Sequence, residues 1–402
     1  MPQYADQTPV TREIMSPTTI TMMVLALLCS LVPASVYGRE MDPDSKENEL
    51  ERMFENLTDG QSPGAAILVR DHGETTFRRG YGVRDLRTRK AIDSHTNFRM
   101  ASCTKQFTAM AIMLLVHDGK IRYDEPLTDV FPEFPDYGKA ITLRNLLNHT
   151  SGLPDYEDLM DQPQGHSRWT EKRQIHDAEV LTLLEGQKSG KFRPGTQWSY
   201  SNSGYVILGL AVAKVAGKPF EDFLEERIFA PLKMNHTLAY VRGKNEVPDR
   251  AYGHSKEGEA FVETDQSATS ATLGDGGVYS NLEDLAKWDE ALTNHSLLAA
   301  GEMQPALTPV RLADRSLPRW ASGPDDTNPQ ASKVVSYGFG WFLDPYQGRP
   351  RMWHSGSTQG FRTVIERFPQ EKLTVVVLCN RTDLDVASLA LRAAGALMNE
   401  TP

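Results

Sequence analysis

The chain has 402 residues, of which 40% are hydrophobic and 24% are charged, an ordinary composition for a soluble globular protein with a sizeable core. Its formal net charge of -10 at pH 7 argues against a nucleic-acid-binding protein, because phosphate contacts require clustered Lys and Arg side chains. Three cysteines in a chain of this length also argue against a disulfide-stabilised scaffold.

The first 38 residues are predicted to be a secretory signal peptide. Residues 20–32, ITMMVLALLCSLV, form an uninterrupted apolar run that ends at Pro33 and is too short to span a bilayer comfortably. This predicts export to the periplasm or to the extracellular space. Two alternatives stay open, namely a translation start at Met15 and retention of the apolar run as a membrane anchor.

The elements that follow predict the beginning of a sheet domain. Residues 45–57, SKENELERMFENL, have helical periodicity with acidic residues in the first turn. Residues 64–83, GAAILVRDHGETTFRRGYGV, alternate between apolar and polar and contain a turn signal at residues 71–73. A helix followed by a β-hairpin is therefore expected.

From about residue 100 to residue 294 the pattern is mainly helical. Helices are predicted around Lys105, over residues 202–216, and over SNLEDLAKWDEAL, where Ser280 and Glu283 match a capping box. These helices predict a second domain inserted into the first.

Strand patterns return near the C-terminus, in YGFGWFL (residues 337–343), FRTVIERF (361–368) and LTVVVLC (373–379), and a final helix is predicted over residues 383–398. The two ends of the chain are thus expected to share one sheet. We predict a discontinuous α/β sheet domain, residues 41–98 and 297–402, and a mostly helical domain, residues 99–296.

Lys105 is the most unusual residue of the helical region, because the sequence after it, FTAMAIMLLV, predicts a helix that is buried nearly all round. A buried lysine needs a partner or a function, since removing an unpaired ammonium from water costs several kcal/mol. Ser102 lies three residues earlier, within reach of Lys105 on one helix face, so Lys105 is a candidate base that activates Ser102. The alternative is a lysine paired with a carboxylate and a serine that only caps the helix.

Two further motifs accompany this pair, WSYSNSGY at residues 198–205 and RMWHSGSTQGF at residues 351–361. With them, the chain resembles the serine hydrolases of the penicillin-recognising fold, which include serine β-lactamases, DD-peptidases and related esterases, and it is most similar to the class C β-lactamase branch. The family motifs Ser-x-x-Lys, Tyr-x-Asn and Lys-Thr-Gly or His-x-Gly match residues 102–105, 200–202 and 354–356. Flanking similarity extends from about residue 45 to the C-terminus.

The resemblance implies an α+β fold, a mainly antiparallel sheet flanked by helices with an inserted all-helical domain, and a site in the cleft between the two parts. It implies no cofactor and no metal. It also implies roles for seven residues: the nucleophile Ser102, its base Lys105, the proton shuttle Tyr200, the substrate-binding residues Asn202 and His354, and Gly356 and Ser357, where the backbone N–H groups of Ser102 and Ser357 form an oxyanion hole. His149, in NHTSG, is expected to be a structural loop residue.

His354 departs from the lysine that many members of this family carry at its position. A histidine has an ordinary pKa near 6.5 and is largely neutral at neutral pH, so recognition of a substrate carboxylate should weaken unless neighbouring carboxylates keep His354 charged. We therefore expect an exported serine hydrolase that forms an acyl-enzyme on Ser102 and acts on an ester, an amide or a short peptide containing D-amino acids.

Two other functions remain open. One is a true class C-like β-lactamase or DD-carboxypeptidase, and the other is a catalytically weak peptidoglycan-binding protein that keeps the pocket. The expected partner is a small-molecule or peptide substrate, with peptidoglycan contact and no nucleic acid. The sequence does not determine the oligomeric state.

Overall fold

The computed structural model describes residues 46–160, 168–320, 330 and 332–399. The α-helices of this part of the chain are α1 (Lys46–Phe54), α2 (Lys105–His117), α3 (Leu127–Val130), α4 (Leu143–Leu147), α5 (Tyr156–Met160), α6 (Asp177–Glu185), α7 (Asn202–Ala216), α8 (Phe220–Leu224), α9 (Leu282–Asn294), α10 (Ala300–Met303) and α11 (Val386–Asn399). Short 3-10 helices span Glu55–Leu57, Ala101–Thr104 and Asp136–Ala140, and a π-helical turn, Glu225–Phe229, continues α8.

Ten β-strands accompany these helices in the described residues. They are β1 (Ala65–Asp71), β2 (Glu74–Tyr81), β3 (Phe98–Arg99), β4 (Leu238–Ala239), β5 (His254–Glu257), β6 (Ala260–Glu263), β7 (Val278–Ser280), β8 (Met352–Thr358), β9 (Phe361–Phe368) and β10 (Leu373–Cys379).

The largest sheet has five strands in the order β2-β1-β10-β9-β8, and every neighbouring pair is antiparallel. Its central pairing aligns Ala65 with Cys379 and Asp71 with Leu373, so the N-terminal hairpin pairs directly with the last strand of the chain. The prediction that both chain ends share one sheet is confirmed. Two smaller sheets, β3-β7-β4 and β5-β6, lie in the intervening sequence.

Both faces of the large sheet are covered by helices, which explains why β1 and β10 are apolar almost throughout. Successive side chains of a strand point to opposite faces. Accordingly, Ile67 and Val69 pack with α1 and α11, whereas Leu68 packs in the larger core that contains α2, α7 and α9. An α+β fold with an antiparallel sheet between helices is therefore confirmed.

Two local predictions are wrong. Residues 337–343 form only isolated bridges, between Tyr337 and Phe342 and between Phe342 and Trp353, because Gly340 has a φ of 76° and turns the chain back within the segment. The cap of α9 is Asn281 rather than Ser280, since Ser280 is still extended in β7 while the Asn281 side chain accepts from the Asp284 N–H.

The predicted signal peptide, residues 1–38, lies outside the described residues. Within the described part, no helix combines the length and apolar character that crossing a bilayer requires. The described residues belong to one compact unit. The boundaries between a sheet domain and a helical domain remain a prediction, and the range 99–296 also contains strands β4 to β7.

A network of buried ion pairs and hydrogen bonds connects α9 to the large sheet. Asp289 accepts from Arg367 Nε at 2.7 Å and from Thr374 Oγ1 at 2.7 Å, and it lies 3.5 Å from Arg70 Nη1. Each of these four residues is at most 7% exposed. One carboxylate therefore balances two buried guanidinium groups on β1 and β9 and holds them against the helix.

We predict that Asp289→Ala lowers the free energy of unfolding by about 3–5 kcal/mol, because it leaves Arg70 and Arg367 buried without their counter-charge. Glu290→Ala, at the exposed neighbouring position, should change it by less than about 0.5 kcal/mol. Urea unfolding of the two variants and the wild type provides the measurement. Equal effects of the two substitutions would contradict the role of the network.

Candidate active site

Ser102 lies in a strained turn between strand β3 and helix α2. It belongs to the 3-10 helix Ala101–Thr104, not to the α-helix that the sequence predicts, and Ala101 has a φ of 46°. Positive φ at a residue with a side chain costs free energy and persists where the surrounding structure imposes it. Here the Met100 N–H donates to the Val278 carbonyl at 2.8 Å, which anchors the turn to β7.

Lys105, the first residue of α2, is 0% exposed, and its ammonium group has three acceptors. Nζ donates to Ser102 Oγ at 3.1 Å, to Asn202 Oδ1 at 2.8 Å and to the Asp275 backbone carbonyl at 3.0 Å. Among the described residues Lys105 forms no ion pair with a carboxylate. A lysine paired with a carboxylate, the alternative considered above, is therefore not what the structure contains.

The loop that contains Asp275 is hydrogen-bonded to the start of α2, on either side of Lys105 in the sequence. Thr108 Oγ1 donates to the Gly274 carbonyl at 2.6 Å, and the Val278 N–H donates to Thr104 Oγ1 at 3.1 Å. These two bonds fall on either side of the contact between Asp275 and Lys105. The loop therefore has a fixed position relative to the lysine.

Tyr200 and Asn202 reach the site from the start of α7. Ser201 is the N-cap of this helix, so Asn202 is its first residue and Tyr200 immediately precedes the cap. Asn202 Nδ2 donates to Glu157 Oε1 at 3.2 Å, while its Oδ1 accepts from Lys105. The ring centroid of Tyr200 is 4.9 Å from Lys105 Nζ, which places a phenol beside the lysine.

His354, on β8, is 1% exposed and lies within the protein beside this group. Nδ1 is 2.7 Å from the Ser355 carbonyl and therefore carries the proton, and Nε2 is 3.3 Å from the Tyr337 hydroxyl. Burial, and then the charge of Lys105, lower the pKa of His354 to about 3. Within the part of the chain that the structure describes, no neighbouring carboxylate keeps this histidine charged, so it is neutral at physiological pH.

Gly356 brings β8 into contact with the turn that carries Ser102. A Cβ atom at Gly356 would lie 2.2 Å from the Met100 carbonyl oxygen and 2.4 Å from Thr363 Oγ1, so no other residue fits without displacement. The next residue, Ser357, is exposed. An oxyanion hole between the N–H groups of Ser102 and Ser357 remains a prediction.

The structure thus brings together Ser102, Lys105, Tyr200, Asn202 and His354, and it adds residues that the sequence did not single out. These are Asp275, through its backbone carbonyl, and Glu157, through its bond to Asn202. Asp275 lies in GDGG, a segment that carried only flanking similarity, and Glu157 directly follows another such segment, LLNHTSGLPDY.

Carboxylates make the surroundings of the site acidic. The pKa of Glu157 is raised, first because packing around its carboxyl group removes water and then because of Asp155 and Asp275. The pKa of Asp155 is raised for the same leading reason. Burial also raises the pKa of Asp177 to about 8, although the Leu273 N–H donates to it at 3.0 Å. In the described residues no three His, Cys, Asp or Glu side chains are grouped to hold a metal ion.

Comparison with known proteins places these features in a family context. A family model described as Beta-lactamase matches residues 50–398. The chain is 29% identical over 373 residues to penicillin-binding protein 4* of Bacillus subtilis, a match that covers 89% of this chain and 77% of that protein.

Two further similarities agree with this match. The chain is 27% identical over 368 residues to a D-aminopeptidase of Cereibacter sphaeroides, covering 90% of this chain and 64% of the D-aminopeptidase, which is less than two thirds of that relative's length. Among solved structures, the octameric penicillin-binding protein homologue from Pyrococcus abyssi is similar with a TM-score of 0.71 and 25% identity, over 89% of this chain and 78% of that one.

The depressed pKa of His354 predicts a loss of stability in acid. Between its ordinary pKa of 6.5 and the folded-state value of about 3, the unfolded chain binds a proton that the folded chain does not, so stability falls as the pH falls. From pH 7 to pH 5, His354 should contribute a loss of about 2 kcal/mol. His354→Gln should remove this part of the pH dependence, and His236→Gln, at an exposed histidine, should leave it unchanged. Urea unfolding at both pH values measures the difference, and an equal pH dependence in His354→Gln and wild type would contradict it.

Proposed function

Because the chain belongs to the Beta-lactamase family, a family of serine hydrolases, we propose that it hydrolyses an ester, an amide or a short peptide through an acyl-enzyme on Ser102. The observation that carries this proposal is the buried Lys105 ammonium group, whose three acceptors include Ser102 Oγ at 3.1 Å. A nucleophile within hydrogen-bond distance of its base, with the base fixed by other groups, is the arrangement that acyl transfer needs.

In the acylation step, Ser102 Oγ attacks the substrate carbonyl carbon, and the deprotonated amine form of Lys105, in which Nζ accepts from the Ser102 hydroxyl instead of donating to it, takes the hydroxyl proton. The negative charge that develops on the carbonyl oxygen is stabilised by the N–H groups of Ser102 and Ser357. The bond to the leaving group then breaks, and a proton passes from Lys105 to the leaving group through the hydroxyl of Tyr200, whose ring centroid is 4.9 Å from Lys105 Nζ. Ser102 is left acylated, and the proton count is unchanged.

Deacylation reverses these roles with water. Tyr200 and Lys105 take a proton from a water molecule as its oxygen attacks the acyl carbon, and the bond to Ser102 Oγ breaks as Oγ regains a proton. Asn202 contacts both Lys105 and Glu157 and is placed to hold the lysine in position throughout the cycle. It has a second role in binding a substrate amide.

The charges around the site favour a substrate with a free amino group. His354 is neutral and buried, so it provides no cation for a substrate carboxylate. Glu157 is exposed, and in the described part of the chain it has no ion-pair partner within 4 Å. An ammonium group on the substrate would complement Glu157, and one relative, with 27% identity, is a D-aminopeptidase. We therefore favour an amino-acid amide or short peptide over a β-lactam or the carboxyl terminus of a peptide.

Export is part of the proposal and rests on residues 20–32, the apolar run of the predicted signal peptide. A periplasmic or extracellular enzyme of this kind would meet short peptides released from peptidoglycan.

The central prediction is that the enzyme releases product from a short-chain nitrophenyl ester faster than from a chromogenic cephalosporin, and that Ser102→Ala lowers ester turnover at least about a thousandfold. Ser388→Ala, at an exposed serine of α11, should have no effect. Intact mass spectrometry during turnover should show the acyl adduct on wild type and none on Ser102→Ala.

Other outcomes of this assay point to other functions. Rapid cephalosporin turnover would make a β-lactamase the better assignment. Binding of peptidoglycan fragments without an adduct or product would favour a catalytically weak binding protein. Undiminished ester turnover by Ser102→Ala would exclude Ser102 as the nucleophile.

The proposed amino-group specificity gives a second prediction. Glu157→Gln should lower kcat/KM for a D-amino-acid amide with a free amino group by about ten- to a hundredfold, the loss expected for a hydrogen bond to a charged group. The value for the N-acetylated amide should change by less than about twofold, because it has no ammonium group to lose. Asp158→Asn is the matched control, since it removes a neighbouring exposed carboxylate that does not contact Asn202. An equal loss for both amides would contradict the assignment.

A further inference from the structure

His149 lies on the loop between α4 and α5, in contact with Tyr200, and it is hydrogen-bonded to the chain on both sides of Tyr200. Its backbone carbonyl accepts from the Ser199 N–H at 3.0 Å, and its ring Nδ1 accepts from the Ser201 N–H at 3.1 Å. The residue is 1% exposed and has a φ of 63°. A single residue therefore holds one backbone N–H on each side of Tyr200, those of Ser199 and Ser201.

The bond to Ser201 also determines where α7 begins. Ser201 Oγ accepts from the Gly204 N–H at 3.1 Å and caps the helix, so the Ser201 backbone lies between Tyr200 and the first helical residue, Asn202. Displacement of the Ser201 amide would therefore move its two neighbours in the chain, Tyr200 and Asn202, whose side chains lie close to Lys105. The position of this one amide is thus important for two groups of the site at once.

The ring of His149 also forms the surface against which Tyr200 packs. The centroid of its ring is 4.4 Å from that of Tyr200 and 4.6 Å from that of Tyr337. Burial, followed by the charge of Lys105, keeps the pKa of His149 well below its usual range, so the ring is neutral. Because Nδ1 accepts a hydrogen bond, the proton of the neutral ring is on Nε2.

Packing alone does not explain a histidine at this position. Nε2 is buried and has no hydrogen-bond partner among the described residues, which is unfavourable for a polar atom. A phenylalanine would fill the aromatic space without that cost. The feature that histidine provides here and phenylalanine lacks is the acceptor at Nδ1, which is bonded to the Ser201 N–H.

We propose that His149 is a positioning residue for the proposed reaction: through Nδ1 and its backbone carbonyl it fixes the chain around Tyr200, so that the phenol stays beside Lys105 for proton transfer to the leaving group. This rests on the proposed acyl-enzyme function. It assigns His149 a part in the chemistry instead of the purely structural role expected from the sequence. His149 acts through Tyr200 and does not itself exchange a proton with the substrate.

Two substitutions separate the acceptor from the ring. His149→Phe keeps an aromatic ring and removes the acceptor. His149→Asn removes the ring but places Oδ1 at the same distance along the side chain as Nδ1, and asparagine tolerates positive φ. If positioning by Nδ1 matters, His149→Asn should retain more activity than His149→Phe. Melting temperatures of both variants establish that they fold, and His149→Leu replaces His149→Phe if the latter does not.

The choice of substrate distinguishes a positioning role from a general structural one. An amide leaving group must be protonated, whereas a nitrophenolate leaves without a proton, so loss of Tyr200 alignment should slow amide hydrolysis more than ester hydrolysis. We expect His149→Phe to lower kcat for an amino-acid amide by about a hundredfold or more, with little change in KM, and to lower ester turnover by less than about tenfold. His149→Asn should stay within about tenfold of wild type on both substrates.

A double-mutant cycle with Tyr200→Phe completes the test. If His149 acts through Tyr200, the double variant His149→Phe/Tyr200→Phe should hydrolyse the amide no more slowly than Tyr200→Phe alone. Multiplied losses in the double variant, equal losses on amide and ester, or a His149→Asn variant as slow as His149→Phe would each overturn the proposal.

Ser102→Ala is assayed in parallel. If Ser102→Ala remains active, the proposed function fails. If Ser102→Ala is inactive and His149→Phe is unaffected, only the role of His149 is refuted.

Discussion

The burial of Lys105 is the constraint on which the rest of the site depends. An ammonium group with 0% exposure must have its three N–H donors satisfied within the protein, since an unpaired buried charge costs several kcal/mol. The three acceptors come from the turn before α2, from the start of α7 and from the loop before β7. Folding therefore cannot bury this lysine without also assembling the group of residues around Ser102.

Close backbone packing makes this assembly feasible. Gly274 lies where a Cβ atom would be 2.3 Å from the Tyr205 carbonyl, and Gly356 lies against the Met100 carbonyl. The first contact brings the Asp275 loop onto α7, and the second brings β8 onto the turn of Ser102. Because a glycine has no side chain, each of these two positions allows two backbones to approach closely. The elements that carry different parts of the site therefore lie closer together. Because these backbones lie close together, the single side chain of Lys105 can contact three segments of the chain.

The sequence predicted those features that depend on local patterns. The hairpin of β1 and β2, the limits of α7 at Asn202 and Ala216, and the group formed by Ser102, Lys105 and Asn202 could all be predicted from periodicity and motifs. The carboxylate of Glu157 and the carbonyl of Asp275 could not, because their contacts join segments far apart in sequence and a backbone carbonyl carries no residue-specific signal. The 3-10 turn around Ser102 was also missed, since helical periodicity does not distinguish it from the α-helix that follows.

The balance of charge around the site is the basis of the proposed substrate class. Lys105 is fully buried and its N–H groups are all engaged, so its charge is not offered to an incoming carboxylate. His354 is neutral, and the exposed ionisable group bonded to Asn202 is the carboxylate of Glu157. A hydrogen bond to a charged group contributes about 1.5–3 kcal/mol, which separates an ammonium from a carboxylate by about ten- to a hundredfold in affinity. A buried neutral histidine on β8 and a carboxylate on the rim of the site therefore both support the proposed preference for substrates that are cationic close to the scissile bond.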